Sequence, residues 1–467
     1  MHNKTLIQHI KKFTTFQWLF FIKLLGNKSK EELKSLAKDT PHFYILKNSN
    51  WYPIVVDLSI RIGDDRDRKV DLNNLPRIDD YYEFIELYVN SDKVDKTDFS
   101  KELNYSSSLA MSKYSYEQLK NYAPIGNSLG RLLKLYGNIE EKIYNTIGLS
   151  PKQIAIFYWI NDVNSHINDP FSVSVMHKLM LGWDNTISKK GLEKFLNIFS
   201  KSVKSYKMEL KNLGISKQNI KSKRLISKYP VINLENNLYF IPSKYILLEA
   251  LTYKIFEVMN EAHKKSETFR RNFGYTFEKY IKELTTLSHE KYFHDCNSII
   301  DNTIEKKRAE FFLSKDNTSI VIEAKLLHID EEILLNGSLS SIDRRMEERV
   351  KDAVEQIESC FNYLNTEKKY GIIVVHTHIP MMDSFFLDLK ATKRSIYKTN
   401  IIFVSIIDFE AMIHNSYEKI IEYFHNRDAH NITLFFEQRN PYLRDAGTQL
   451  LKSIKENYYI AEGKKKQ

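Results

Sequence analysis

The feature of this sequence that most constrains its fold is the run of residues 319–326, Ser-Ile-Val-Ile-Glu-Ala-Lys-Leu. Its β-branched and aliphatic residues predict a buried strand. Because alternate side chains of a strand share a face, Glu323 and Lys325 lie on one face and Ala324 lies on the other. Charged groups are costly to bury in an apolar strand. The run therefore predicts a sheet in which one strand carries either an ion pair or a functional site.

The strand that precedes this run supplies an opposed acid. With Asp316 and Asn317 as the central residues of a hairpin turn, Glu310 faces Glu323 at a Cβ separation of about 4.5–5.5 Å. Opposed carboxylates repel each other unless a cation lies between them. Mg²⁺ takes oxygen ligands from one or two carboxylates together with phosphate and water. The opposed pair therefore predicts a site for a divalent metal.

Helices and strands surround this pair in a definite order. The continuous apolar runs 370–376 and 400–407 are typical of strands buried on both faces. The predicted order is helix, three strands, helix, strand, helix, strand, and the located elements cover 272–287, 292–296, 305–313, 318–326, 341–364, 370–376 and 400–407.

This combination resembles the PD-(D/E)xK, or restriction-endonuclease-like, nuclease superfamily. The resemblance covers about residues 270–408, where the predicted order matches the α-β-β-β-α-β core and mixed central sheet of that superfamily. The residues that match its motif positions are Glu278, Glu310, Glu323, Lys325 and Gln356. The resemblance implies a metal-dependent nuclease with Mg²⁺ or Mn²⁺ as its cofactor.

The resemblance also implies a role for each of these residues. Lys325 would orient or deprotonate the attacking water and offset charge in the transition state. Glu278 would complete a second metal site or hold a metal-bound water. Gln356 would position the phosphate or its own helix, and the alternative is a polar surface residue. The implied metal ligands are Glu310, Glu323, the main-chain carbonyl of Ala324 and Glu278.

One departure from the motif affects the metal ligands. Where the superfamily has Pro-Asp, this chain has Ala309 and Glu310. Glutamate is longer than aspartate, so the position of the metal is less constrained by the motif. Glu305 and Asp301 stay open as substitutes for Glu310.

The chain as a whole is predicted to be α+β, with a mainly helical N-terminal region before the nuclease-like core. Its predicted parts are a mixed α/β domain over 1–120, a mainly helical region over 121–265, the nuclease-like domain over 266–410 and a helical extension over 411–467. Within the first part, residues 51–61 and 82–89 are predicted to be strands. Residues 231–242 are predicted to form a hairpin with its turn at Asn236-Asn237.

A basic segment lies just before the nuclease-like domain. The chain has 69 Lys and Arg against 59 Asp and Glu, which gives a net charge of +10. Cations in such a segment can follow a phosphate backbone, and the alternative is a basic linker. The six cations, with no acidic residue among them, are Lys211, Lys217, Lys221, Lys223, Arg224 and Lys228.

Cysteine content and hydropathy favour a cytoplasmic protein. Cys296 and Cys360 are the only cysteines, too few for a disulfide framework or a cysteine-based zinc site. No apolar stretch reaches the roughly 20 residues that span a membrane. Residues 13–25 are predicted to form an amphipathic helix rather than a signal peptide.

The leading functional hypothesis is an endonuclease that hydrolyses phosphodiester bonds, with DNA favoured over RNA. By resemblance, residues 1–250 would recognise the target in a restriction or antiphage-defence effector that acts as a homo-oligomer or with a partner protein sensing the trigger. A second hypothesis is an inert nucleic-acid-binding or scaffolding protein with a degenerate nuclease fold. A third is a regulatory partner in which Lys325 is bonded to Glu310 and leaves no room for metal.

Overall fold

The computed structural model of the chain is α+β and contains two compact units. The first comprises Met1–Ser100, Ser128–Ala262 and Asp445–Gln467, and the second comprises Lys101–Asn127 and His263–Arg444. Within these units the structure describes residues 2–37, 40–47, 51–63, 74–92, 125–163, 170–212, 225–234, 237–296, 309–326, 339–376, 398–426, 440–450 and 452.

The chain up to residue 262 is mainly helical. Capping boxes begin two of its helices, where the side chains of Thr14 and Ser29 accept main-chain N–H groups of Gln17 and Glu32. The helices are α1 His2–Ile10, α2 Thr15–Gly26, α3 Lys30–Leu36, α4 Thr40–Lys47, α5 Trp51–Ile62, α6 Ile78–Asp92, α7 Ile125–Gly137, α8 Glu140–Ile147, α9 Pro151–Val163, α10 Val173–Leu181, α11 Lys189–Phe199, α12 Val203–Asn212, α13 Leu225–Lys228, α14 Lys244–Tyr253 and α15 Ile255–Ala262.

Four short strands form a mixed sheet in the first unit. They are β1 Phe171–Ser172, β2 Ser200–Ser202, β3 Val231–Leu234 and β4 Leu238–Phe240. The sheet order is β1-β4-β3-β2, with β3 antiparallel to β4 and parallel to β2. The predicted hairpin over 231–242 is therefore confirmed, and Asn237 in its turn adopts a φ of 58°.

The predicted strand over 51–61 is wrong, because these residues lie in helix α5. A continuous β-branched run fits a buried helix as well as a buried strand. Every residue of Tyr52–Ile60 is buried, since α1, α2, α12 and α13 all pack against α5. The buried carboxylate of Asp57 accepts main-chain N–H groups of Leu225 and Ile226 at 2.9 and 3.0 Å and so caps α13.

The predicted strand over 82–89 is also wrong, because it lies inside helix α6. The buried residues Tyr81, Phe84, Ile85 and Tyr88 recur at intervals of three and four, which is the helical period. Over the described residues of 1–120, the chain is therefore helical and not the predicted mixture of helices and strands.

The second unit contains a five-stranded mixed sheet. Its elements are α16 Glu267–His289, β5 Phe293–Asp295, β6 Phe311–Lys315, β7 Thr318–Lys325, α17 Leu339–Phe361, β8 Lys368–Val375, β9 Ile401–Ser405, α18 Ile406–Ile413 and α19 Tyr417–Asn426. The sheet order is β5-β6-β7-β8-β9, in which β6 is antiparallel to both neighbours and β7, β8 and β9 are parallel. The helix predicted between β8 and β9 lies outside the described residues.

The register between β6 and β7 agrees with the sequence-based prediction. Lys315 pairs with Thr318, and Phe311 pairs with Ile322. Asp316, in the two-residue turn between these strands, adopts a φ of 51°, a conformation that aspartate tolerates better than most residues. Continued by one residue, this register sets Glu310 opposite the next residue of β7.

Helix α17 covers one face of this sheet. Gly371 of β8 permits the close approach, because a Cβ there would lie 2.8 Å from Cγ2 of Ile357. The buried cluster under α17 contains Ala309, Phe312, Val321, Val350, Ala353, Val354, Ile357, Ile373, Val375, Ile401, Phe403 and both cysteines.

The helices after β9 extend the second unit. The hydroxyl of Tyr280 on α16 donates to Glu410 of α18 at 2.7 Å. Nε2 of His289 lies 2.9 Å from the carbonyl oxygen of Ile413. The first part of the predicted extension 411–467 therefore packs with α16, and a further helical segment spans 441–450.

None of the helices that the structure describes combines the length and the apolar composition needed to cross a membrane.

Candidate functional site

The candidate site lies at the carboxyl end of β7. Glu323 is 0% exposed, and its Oε1 forms an ion pair with the ammonium of Lys325. The side chain of Lys325 is 26% exposed, so solvent reaches its ammonium. The carboxylate of Glu323 also interacts with the carboxyl group of Glu310 through a side-chain hydrogen bond. A carboxylate has about four lone-pair sites, so Glu323 keeps lone pairs that can bind a cation.

Glu310, immediately before β6, completes the opposed pair. Its Oε2 accepts the main-chain N–H of Ala324 at 3.0 Å. Its main-chain carbonyl accepts the N–H of Cys296 at 3.1 Å. The register of β6 with β7 sets Glu310 opposite Glu323. Hydrogen bonds to two neighbouring strands thus hold this residue at the edge of the site.

The two carboxylates cannot both be charged at low cost without a metal. Burial raises the pKa of Glu310 well above its ordinary range, and the charge of Glu323 raises it further, whereas Lys325 opposes the rise. Burial also raises the pKa of Glu323, against the lowering effects of Glu310 and Lys325. One ammonium neutralises only one carboxylate, so the pair keeps a proton or a net negative charge. A divalent cation would neutralise this negative charge and remove the need for the proton.

Glu278, half-buried on α16, is a third acid near the pair. Burial raises its pKa from 4.5 to about 7, and the charge of Glu310 adds to the rise, whereas Lys325 and Lys282 oppose it. Lys282 lies one helical turn further along α16 and forms an ion pair with Asp295 of β5 at 2.7 Å. These interactions bring Glu278 into the charged cluster at the end of β7.

The raised pKa of Glu278 predicts a pH-dependent stability of the metal-free protein. The folded state binds this proton more tightly than the unfolded chain, so stability should fall as the pH rises from 4.5 through about 7. We expect Glu278→Gln to reduce this loss by about 1–2 kcal/mol, after allowance for solvent screening of a half-buried group. Urea unfolding in the presence of chelator at several pH values from pH 5 to pH 8 measures this change in the free energy of unfolding.

The control for this comparison is Glu355→Gln, which changes an exposed glutamate of α17. Its stability should follow that of the wild type across the pH range. If the free energy of unfolding of Glu278→Gln varies with pH as that of the wild type and the control does, Glu278 does not interact with the buried pair.

Gln356, the remaining predicted site residue, belongs to the helix that covers one face of the sheet. It lies half-buried on α17, beside the buried Ile357. The described interactions of Glu310 and Glu323 are with Ala324, with Lys325, with Glu278 and with each other. Its predicted role in positioning a phosphate stays a prediction.

The donor set fits a hard divalent cation held by two glutamates. Carboxylate and carbonyl oxygens are the ligands that Mg²⁺ and Mn²⁺ prefer. Ala324 directs its N–H towards Glu310, and the main-chain carbonyl of a strand residue lies on the same strand edge as its N–H. The residues that would hold the ion are therefore Glu310, Glu323 and the carbonyl of Ala324.

Glu278 does not share this ion directly in the described geometry. Among described residues, the one set of three acidic, histidine or cysteine ligands with all ligand atoms within 4.8 Å of one another is His9, Asp80 and Glu83. Glu278, Glu310 and Glu323 do not form such a set. Glu278 therefore fits the second of its two predicted roles, which is to hold a metal-bound water.

The His9 cluster is better explained as an ion-pair network than as a metal site. Nε2 of His9 lies 2.8 Å from the main-chain oxygen of Asp80. Its Nδ1 lies 3.1 Å from both the ammonium of Lys12 and Oε2 of Glu83. The ammonium already supplies the cation, and both ring nitrogens have neighbours. The network fastens α1 to α6.

Three further residues lie near the site. Asp295 is connected to the site through its ion pair with Lys282. The i,i+4 spacing of Lys282 from Glu278 could have indicated that Lys282 lies near the site. The guanidinium of Arg349 donates to the carbonyl of Leu326 at 3.0 Å and is exposed beside the end of β7. The main-chain N–H of His376 donates to the carbonyl of Lys325 at 3.2 Å. Only the register of β7 with β8 reveals the last contact.

Most of the predicted nucleic-acid-binding segment lies outside the described residues. Lys211 is within α12. The ammonium of Lys228 bonds Glu261 at 2.8 Å and lies 5.6 Å from the ring centroid of Tyr229. The remaining predicted contacts, outside the described residues, are Lys217, Lys221, Lys223 and Arg224. Glu305 and Asp301, the alternatives to Glu310, also lie outside the described residues.

Comparison of the chain with protein-family models, with curated protein sequences and with solved structures gives no match. The geometry of the residues around β7 is therefore the basis for a functional conclusion.

Proposed function

We propose that the second unit is a metal-dependent nuclease that hydrolyses phosphodiester bonds in DNA, with RNA as a lesser substrate. The observation that carries this proposal is the pair Glu310 and Glu323, opposed at a strand end with Lys325 beside it. A purely structural ion pair contains one acid for each base. Here two acids with raised pKa values share one ammonium, and a third acid, Glu278, is nearby.

The chemistry of the site can be divided among its residues. Mg²⁺ or Mn²⁺, held by Glu310, Glu323 and the carbonyl of Ala324, would polarise the scissile phosphate. Lys325 would release Glu323 and donate hydrogen bonds to the attacking water or to the phosphate oxygens, where negative charge increases in the transition state. Glu278 would accept a hydrogen bond from a water in the site.

The topology of the second unit supports the same proposal. Along the chain, a helix, three consecutive strands, a long helix and two further strands follow one another, and the five strands form one mixed sheet. This arrangement is expected for a PD-(D/E)xK core. Because a fold hosts many functions, the site carries the proposal and the topology supports it. A role in restriction or antiphage defence, a homo-oligomer or sensing partner protein, and a cytoplasmic location belong to the same proposal.

The contact between Lys325 and Glu323 favours a second candidate function. A degenerate core that binds nucleic acid or a partner protein without cleavage could use this ion pair for stability. In that case the ammonium would permanently occupy the position of the metal. The regulatory hypothesis had Lys325 bonded to Glu310, whereas the observed partner is Glu323. The uncompensated second carboxylate argues against a purely structural role.

Cleavage assays separate the two candidates. The full chain is incubated with plasmid DNA, linear DNA, single-stranded DNA and RNA, each with Mg²⁺, with Mn²⁺ or with chelator. The nuclease proposal predicts products only with a divalent ion, and none from Glu323→Gln. Glu355→Gln should cleave as the wild type does. Binding without cleavage under every metal condition would support the degenerate core.

The basic segment should contribute non-specific affinity for nucleic acid. Replacing Lys221, Lys223 and Arg224 together by glutamine should reduce the salt dependence of binding by about three phosphate contacts. Fluorescence anisotropy with a DNA duplex at several salt concentrations measures the slope. An unchanged slope would make this segment a plain linker. The matched control makes the same change of charge outside the basic segment, by replacing three lysines of α11 with glutamine: Lys189, Lys190 and Lys194.

A further inference from the structure

The two cysteines of the chain meet inside the second unit. Cys296 directly follows β5, and Cys360 lies in the last turn of α17. Their Sγ atoms are 3.8 Å apart although 64 residues separate them. Each side chain is 1% exposed. Because the chain has only 2 cysteines, this contact brings together every thiol that the protein possesses.

The two sulfur atoms lie about in van der Waals contact. An S–S bond is about 2.0 Å long, so the sulfur atoms need to approach from van der Waals contact. A shift of the main chain at Cys296, together with side-chain rotation, would bring them to this distance. The adjoining strand β5 is at the edge of the sheet and pairs only with β6 among the described strands. An edge strand of three residues resists such a shift less than a central strand does.

The cysteine pair is directly connected to the candidate metal site. The main-chain N–H of Cys296 donates to the carbonyl of Glu310 at 3.1 Å. The same Glu310 accepts the N–H of Ala324 through its side chain. A shift of Cys296 towards α17 therefore moves one of the two groups that hold Glu310 opposite Glu323.

We propose that Cys296 and Cys360 form a redox modification site, in which a reversible disulfide displaces Glu310 and weakens divalent-metal binding. The oxidant is of the peroxide class. Two S–H bonds break and one S–S bond forms, while hydrogen peroxide takes up two electrons and two protons and becomes two water molecules. A dithiol reductant reverses the reaction by exchange. Only the effect on metal binding rests on the proposed function.

The surroundings of the pair make this reaction slow. The hydrogen bond to Cys360 and burial both raise the pKa of Cys296, so the reactive thiolate is scarce. This thiol is therefore unsuited to nucleophilic catalysis. A sustained exposure to oxidant is needed to form the disulfide.

Mass spectrometry of the full chain tests whether the disulfide forms. Reduced protein is incubated with hydrogen peroxide for several hours, unfolded, treated with a thiol alkylating reagent and weighed intact. We expect the loss of two hydrogen atoms and no alkylation, with both thiols recovered after a dithiol reductant. Cys296→Ala and Cys360→Ala should lack this product. Two alkylated thiols, or oxygen added to each sulfur without a cross-link, would overturn the proposal.

Titration with Mn²⁺ tests the connection to Glu310. The affinity of the oxidised wild type should be about tenfold or more below that of the reduced protein, as expected when a group behind a metal ligand is disturbed. Peroxide should leave the affinity of Cys360→Ala unchanged. Equal Mn²⁺ affinities of the reduced and the oxidised wild type would overturn the proposal that the disulfide displaces Glu310. A reduced protein that binds no Mn²⁺ would contradict the proposed function instead, and the mass measurement would still decide on the disulfide.

Discussion

Replacement of Glu323 by glutamine is expected to lower the rate of DNA cleavage by about 10³-fold or more at every metal concentration, because a bound metal supplies several kcal/mol of transition-state stabilisation. The variant should nevertheless be at least as stable as the wild type without metal. Glutamine keeps the shape of Glu323 and removes its buried negative charge. Burial disfavours this charge, since it raises the pKa of Glu323. Cleavage of plasmid DNA and thermal unfolding in chelator measure the two effects.

The control for Glu323→Gln is again Glu355→Gln, which changes an exposed glutamate of the same unit. It should retain both cleavage and stability. If Glu323 is instead one half of a structural ion pair, its replacement should cost about 3–5 kcal/mol of stability. A large loss of melting temperature in Glu323→Gln but not in the control would therefore count against the metal site.

Replacement of Lys325 by alanine is expected to lower the cleavage rate by about 10²-fold or more while metal binding is retained. The ammonium is partly exposed and contacts Glu323, so it can leave this carboxylate when a metal binds. Without metal, its removal leaves Glu323 without a cation. The melting temperature of Lys325→Ala should therefore fall in chelator and recover with Mn²⁺.

Two further variants test the role of Lys325. Lys325→Arg should restore stability more than activity, because a planar guanidinium can pair with Glu323 but cannot act as a base near neutral pH. Lys351→Ala, which removes an exposed lysine of α17, should behave as the wild type. Full activity in a folded Lys325→Ala protein would refute the catalytic assignment.

The part of the site predictable from sequence is the part fixed by local geometry. The turn at Asp316-Asn317 sets the register of β6 and β7, and this register alone opposes Glu310 and Glu323. Alternation along β7 then places Lys325 on the face of Glu323. The apolar run 370–376 predicted a buried strand, and residues 371–375 of β8 are buried.

The errors arose where packing, not local pattern, decides the structure. Residues 51–61 have a composition typical of a strand, but four surrounding helices bury them as α5. Residues 82–89 alternate in part, yet their buried positions continue a helical period that begins at Tyr81. Long-range contacts such as Cys296 with Cys360 depend on the tertiary fold, which spacing along the chain does not reveal.

Calorimetric titration of Mn²⁺ into the reduced wild type, Glu310→Gln, Glu323→Gln and Glu355→Gln tests the central claim most directly. We predict saturable binding to the wild type and to Glu355→Gln. In Glu310→Gln and Glu323→Gln we predict an affinity loss at least as large as the roughly 10–100-fold caused by changes behind a metal ligand. Equal Mn²⁺ affinity in all four proteins, or none in the wild type, would contradict a metal site between Glu310 and Glu323.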